Sequence, residues 1–284
     1  MVEDTPDDLV FELHNEALWG QHPYGYSILG TRDTVTALGV RELRELHERA
    51  YHPPQLVVAA AGHVEHDRLL ETLDRTGWTS VERGEATPLS APAPVAAPAG
   101  YRHVVREAAQ THIVYGSPMM AHGHPLRYAA VLVSTVLGAG MSSRLFQRVR
   151  EELGLAYSVY TFQSFHADTG VHGVYVGTAP ETATQAAAAI REELARVASE
   201  GLSPEEIASG KSQLKGQSTL SLESVSARMY RAAGVDLYGE PYKTLDQLLA
   251  EIDGITEDQV GTVCRDYFAP DAQTVVSLGP AAIQ

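Results

Sequence analysis

Arg150 and Tyr157 stand seven residues apart in the stretch SRLFQRVREELGLAYSVYTF, residues 143–162. Arg148 and Tyr160 lie beside them. The stretch reads as a short helix that runs into a strand. Guanidinium and phenol groups donate hydrogen bonds. Aimed at a carbonyl under attack, such donors stabilise the negative charge that develops on its oxygen. A phenol on a strand edge can also grip an extended peptide laid beside the sheet. The same residues have a purely structural use. Arg150 can pair with Glu151 or Glu152, and Tyr157 can pack as a half-buried strand residue. The residues alone leave both uses open.

Metal chemistry has no comparable foothold. The chain has twelve histidines, and none has ligand spacing. HERAY (47–51) nearly makes His-Glu-x-x-His, but position 51 is Tyr and His52 comes one place late. On a helix that offset turns His52 about 140° from His47. HVEH (63–66) is one residue short of the inverted motif. His122 and His124 flank a glycine, and His14 and His22 straddle a helix end. No metal site is expected in this chain. Ser142 and Ser143 follow GAGM and form no G-x-S-x-G elbow, and Gly138 and Gly140 belong to no G-x-G-x-x-G.

The elements that must position Arg150 and Tyr157 follow from the flanking pattern. Strands are expected at 155–166 and 170–178, joined by the Ala167–Gly170 turn. Before them, strands fit 101–107 and 110–117, and helices fit 125–137 and 143–152. After them come helices at 180–200 and 203–220, the second opened by Ser203-Pro204-Glu205-Glu206. Further helices fill 224–268, and AQTVVSLG (272–279) is a last strand. Toward the start, Thr5-Pro6-Asp7-Asp8 opens a helix carrying Leu9, Leu13 and Ala17 and stopping at Gly20. Helices are expected at 31–38, 40–51 and 65–76, with QLVVAAAG (55–62) as a buried strand. Residues 84–100 (GEATPLSAPAPVAAPAG) hold Pro88, Pro92, Pro94 and Pro98, keep no helical or strand period, and read as a linker.

Composition narrows the partners. The 284 residues suffice for about two domains. With 44% apolar residues the chain can bury a sizeable core. Lys+Arg 21 against Asp+Glu 36 gives a net charge of −15, which argues against nucleic acid and anionic membrane surfaces. Cys264 is the single cysteine, so no internal disulfide forms; this fits a reducing compartment and a cytoplasmic location. The first residues have no basic and apolar regions of a secretory signal, and no apolar run approaches the roughly 18 residues of a membrane span.

The chain also repeats itself. ALWGQHPYGY (17–26) parallels DLYGEPYKTL (236–245), and YHPPQLVVAAAG (51–62) parallels FAPDAQTVVSLG (268–279). Gly20 to Gly62 is 42 residues, and Gly239 to Gly279 is 40. In the later copy a long segment starting at Tyr101 precedes the shared part. In the earlier copy fewer than 20 residues do. The sequence therefore reads as two units, the first without its opening half.

At this point the chain resembles the insulinase/pitrilysin-like zinc metallopeptidases, closest to the bacterial relatives of the mitochondrial processing peptidase. The resemblance rests on residues 3–31, on YHPPQLVVAAAGHV (51–64), on LGAGMSSRLFQRVREELGLAYSVYTF (137–162) and on GLSPEEIASGKSQLKG (201–216). It implies two α+β domains of similar fold, each an antiparallel sheet flanked by helices, enclosing a chamber. It implies that the first domain carries the zinc ligands in an inverted His-x-x-Glu-His motif with a further Glu, and that the second supplies an Arg and a Tyr that hold substrate. Arg150 and Tyr157 match that pair. The last zinc ligand would fall a few residues before Met1.

The expectation is thus an α+β, two-domain metallopeptidase-like architecture with antiparallel sheets flanked by helices and its first domain truncated. Residues 1–83 are the back half of the first domain, 84–100 a Pro/Ala linker, and 101–284 a complete second domain. The function expected is part of a zinc-dependent metalloendopeptidase, with Arg150 and Tyr157 as catalytic and substrate-binding residues. Zinc is expected in the intact family member and none in this chain, which alone is expected to be inactive. The partners expected are a peptide substrate and either further copies of the chain or a complementing peptidase subunit. The alternatives are a non-catalytic partner subunit of a heteromeric processing peptidase and a structural subunit without protease activity.

Overall fold

The computed structural model describes residues 4–80 and 92–283. The chain divides into two compact units. The first comprises Met1–Ser27, Ala93–Gly216 and Asp246–Gln284, and the second comprises Ile28–Pro92 and Gln217–Leu245. Of the expected linker, residues 84–91 lie outside the described residues, and 92–100 run without joining a helix or ladder.

The first unit is built on a five-stranded sheet. Its strands are β1 (Tyr101–Val105), β2 (Thr111–Met119), β3 (Ala156–Phe165), β4 (Gly170–Thr178) and β5 (Thr274–Gly279), in the order β1-β5-β2-β4-β3. β2, β4, β3 and β5 pair antiparallel. β1 joins β5 parallel, so the sheet is mixed. Each β4 residue is buried, because the sheet is covered on both faces. On one face pack α5 (Arg127–Gly138), α6 (Ala183–Glu200) and α10 (Glu257–Tyr267), over Ile113, Tyr115, Val174 and Val176. Ala183, Ala186, Ala187 and Ala189 of α6 occupy that face with Ile190, Leu194 and Val197. α7 (Pro204–Ser221) and α9 (Leu245–Asp253) add Ile207, Leu214 and Ile252 to the same core.

The other face is covered by α1 (Pro6–Trp19). Its fully buried stripe is Val10, His14 and Leu18, one position along from the Leu9, Leu13 and Ala17 stripe, whose residues pack at the margin. Val10 lies over Val114, Tyr175, Val276 and Leu278. Burying each such aliphatic side chain stabilises by roughly 1.5–3 kcal/mol. His14 sits lowest. A Cβ on Gly116 would come 2.5 Å from the His14 ring, so only glycine lets the imidazole reach the sheet. Its Nε2 donates to the Thr274 carbonyl at 3.2 Å. Burial in this contact pushes the His14 pKa down to about 4. On the opposite face His172 places Nε2 2.7 Å from the Tyr267 carbonyl and 2.8 Å from Ser117 Oγ, and burial pushes its pKa to about 4 as well.

The second unit is built differently. It holds α2 (Arg32–Ala37), α3 (Val40–Ala50), α4 (His66–Arg75) and α8 (Val225–Tyr238), and none of these four helices has a buried residue. The strand expected at 55–62 does not form: residues 56–61 enter no ladder, and Leu56, Val57 and Val58 are exposed. The apolar run is there, but no described strand lies alongside to complete its hydrogen bonds.

Candidate functional site

The junction that carries Arg150 and Tyr157 has two irregularities. Its helix, Phe146–Glu152, is a π-helix, with Leu153 N donating to Arg148 O at 3.2 Å, five residues back. Such wide turns are rare and concentrate at functional sites. Leu145 and Val149 fix the helix to the core and are fully buried. At its start, Arg144 grips both carboxylate oxygens of Glu206, at 2.6 and 2.5 Å, and the Gly201 carbonyl at 3.1 Å. That pairing holds the Glu206 carboxyl below its usual range. Gly154, at φ +61°, reverses the chain after the helix. Thr178 Oγ1 then donates to Leu155 O at 2.5 Å and fixes the entry to β3.

β3 begins with a bulge. Ala156 lies opposite Thr178 and Ser158 opposite Gly177, so Tyr157 is the extra residue without a partner. A bulge at a sheet edge re-aims its side chain. Ala156 turns into the core, and Tyr157 stands 77% exposed. Arg150 is exposed too, with its guanidinium 4.8 Å from the centroid of the Phe146 ring. Arg148, not Arg150, takes the nearby acid, pairing with Glu152 at 3.0 Å. Among the described residues Arg150 makes no ion pair. Tyr160 lies farther along the strand with its ring 4.9 Å from Tyr175, whose hydroxyl shares a 2.8 Å hydrogen bond with His112 Nδ1. Burial raises the pKa of both phenols. Tyr160 is therefore tied to the sheet, whereas Tyr157 is not.

β3 is also an outer strand, pairing only with β4 among the described strands. Its ten residues, AYSVYTFQSF, include no charge and no proline. Outer strands are commonly guarded by one or the other, because a bare edge pairs with any extended chain. A polar cleft of about 990 Å³ lies elsewhere on the π-helix, lined by Arg144, Arg148, Glu193, Arg196 and Glu206 among others. It includes neither Arg150 nor Tyr157. Its arginines are paired with its own glutamates, so the exposed junction is the stronger candidate.

A zinc ion does not fit the described residues. Among the described residues no three His, Cys, Asp or Glu side chains are placed to hold a metal. His14, His112 and His172 are committed to contacts within the fold, His47 stacks on Tyr51 at 5.0 Å, and His122 lies against Arg127. Sequence reasoning singled out Arg150 and Tyr157 as candidates but did not foresee the contact of Arg150 with Phe146, the π-turn or the bulge. The four-residue spacing of Phe146 and Arg150 was the available signal, since such pairs share a helix face.

The comparisons with known proteins agree with one another. A family model described as the peptidase M16 inactive domain matches residues 37–214. An uncharacterised zinc protease of Streptomyces coelicolor is 38% identical over 277 residues, covering 94% of this chain and 60% of that protein. Another, YmxG of Bacillus subtilis, is 34% identical and covers 95% and 65%. This chain thus spans under two thirds of the length of these relatives. Among solved structures, a peptidase M16 inactive domain from Pseudomonas fluorescens superposes with a TM-score of 0.83 at 21% identity, over 99% of this chain and 68% of that one. A chain of complex III2 from Candida albicans superposes with a TM-score of 0.85 at 19% identity, over 98% and 68%. At those identities the likeness is one of fold. Among the described residues no helix is long and apolar enough to cross a membrane.

Proposed function

The chain belongs to the peptidase M16 family, and from that premise we propose that it is the substrate-holding, non-catalytic part of a zinc-dependent metalloendopeptidase. Arg150 and Tyr157 hold the peptide, and other residues, outside this chain, hold the zinc. One observation carries the reading. Both side chains project from a helix–strand junction where a π-turn and a bulge free them from the core, and among the described residues no acid pairs with the guanidinium. An extended peptide laid along the bare edge of β3 would pair with its backbone and meet the Tyr157 phenol and Arg150 where the strand begins. Two donors there suit a carbonyl oxygen that gains negative charge. The buried, unpaired Cys264 is in keeping with a reducing, cytoplasmic setting.

In this reading residues 1–83 are the back half of a sister domain, 84–100 the linker and 101–284 the complete domain. α1 is then the segment of the first that lies on the sheet of the second. The internal repeat supports it position by position. Val260, Val263 and Phe268 are buried in the first unit. Their repeat counterparts Leu43, Leu46 and Tyr51 are 53%, 42% and 54% exposed. The α3 face has the pattern of a core without the elements that would cover it.

The test is binding of fluorescein-labelled casein, an unfolded polypeptide, to the purified chain by anisotropy. Tyr157→Phe removes one donor and should weaken binding by roughly two- to tenfold. Arg150→Ala should weaken it more, by roughly tenfold or above. Neither should lower the melting temperature, because neither side chain is in the core. Mixed with the portion of the Streptomyces relative that this chain does not match, the parent should cleave the peptide and both variants should lose turnover by roughly 10²–10³-fold. Unchanged affinity and turnover in both variants would refute the assignment and favour a structural subunit.

A further inference from the structure

Arg150 is exposed, charged and in the last turn of its own helix, with Glu151 and Glu152 next in sequence. Residues one and two positions on do not share its face of the helix. Arg150 lies over the Phe146 ring at 4.8 Å, and Glu152 is taken by Arg148. Leu145 and Val149 belong to the buried core, whereas Phe146 is only partly buried and is not among the residues of that core. A partly exposed aromatic ring under one guanidinium is a platform. Arginine lying flat on an aromatic face keeps its edge donors available in the plane of the guanidinium while losing freedom of orientation.

We infer that Phe146 is a positioning residue for Arg150, and that the π-turn brings the two together. The inference rests on the proposed role of Arg150 in holding peptide and adds how the side chain is made ready. The ring offers the guanidinium a partner that uses none of its N–H groups, whereas a carboxylate would use two. Arg148 completes the device by occupying Glu152. Arg144, locked to Glu206 and Gly201, holds the start of the helix, so the platform stands on a fixed base.

A double-mutant cycle on the full chain tests this, read as the Kd for fluorescein-labelled casein. Phe146→Leu keeps an apolar side chain and removes the π-face. It should weaken binding roughly two- to fivefold, the worth of a partly exposed cation–π contact. Phe146→Trp should restore or improve affinity, since indole is the better platform. In the Arg150→Ala background, Phe146→Leu should change nothing further. The melting temperature should stay with the parent throughout. Equal weakening by Phe146→Leu with and without Arg150 would overturn the inference, because the ring would then act on its own. No effect of Phe146→Leu while Arg150→Ala still weakens binding would also overturn it, and would leave the role of Arg150 intact. No effect of Arg150→Ala would remove that role and the inference with it.

Discussion

Acid should loosen the first unit well before its carboxylates protonate. His14 and His172 are buried on opposite faces of the sheet, and both have pKa values lowered from 6.5 to about 4. In the unfolded chain each imidazole takes up a proton near pH 6.5, while the folded protein resists it until about pH 4. Stability is therefore full above about pH 6.5 and falls as pH drops through the interval to 4. Each full shift is worth roughly 3 kcal/mol, and between pH 7 and pH 5 each histidine loses roughly 2 of these. The pair together removes roughly 4 kcal/mol, a large share of the 5–15 kcal/mol typical of a domain. His112 and His166, also lowered by burial, act in the same direction. Urea unfolding followed by far-UV circular dichroism at pH 7 and pH 5 measures the loss. His14→Gln should lower stability at pH 7 and flatten the slope by close to half. A stability that changes by less than about 1 kcal/mol over this range would refute the reasoning, as would an unaltered slope in His14→Gln.

Other consequences are testable separately. A Cβ at Gly173 would lie 2.0 Å from the Tyr115 carbonyl and 2.6 Å from the Phe162 ring; Gly173→Ala should cost roughly 1–3 kcal/mol or more, read as a lowered Tm. Val263→Ser should destabilise by several kcal/mol, whereas its repeat counterpart Leu46→Ser should stay within about 0.5 kcal/mol, and equal costs at the two positions would contradict the uncovered α3 face. That face should also drive association: sedimentation should show self-association at tens of micromolar that Leu43→Ser with Leu46→Ser reduces. After dialysis, elemental analysis should find well under one zinc per chain, and one tightly held zinc would reveal ligands that neither spacing nor geometry discloses.

Most elements of the first unit were legible because their signals are local. The cap and proline of Ser203-Pro204, the turn at 167–170 and the strand pattern on either side lie within a few residues of what they specify. The strand order was less legible, because the parallel pairing of β1 with β5 joins residues more than 170 apart. α1 was legible as a helix, but its buried stripe of Val10, His14 and Leu18 was not. The reason is His14, a polar residue that propensity assigns to the surface and that Gly116 admits to the interior. The strand at 55–62 was expected from composition alone, and composition cannot supply a neighbouring strand. At the candidate site, residue types left two uses open for Arg150 and Tyr157, and the family resemblance singled them out as candidates. The bulge and the π-turn depend on the register of β3 against β4 and on how Val149 seats in the core, which one segment does not encode by itself.

The contact between α1 and β5 sets a timetable for synthesis. His14 meets Thr274 across 260 residues, so the sheet that α1 covers stays incomplete until β5 is synthesised, although β2 and β4 are made earlier. At about 5–20 residues per second that wait is roughly 13–50 s, long beside the microseconds in which a helix forms. Until β2 and β4 are made, Val10, Phe11 and Leu18 present a sticky stripe to the nascent-chain environment. β5 then completes both the sheet and the seat of α1, so Thr274–Gly279 act as the clasp. A chain stopped short of Thr274 would be left with an incomplete sheet and a partly seated helix, and would be a ready client for chaperones and proteases.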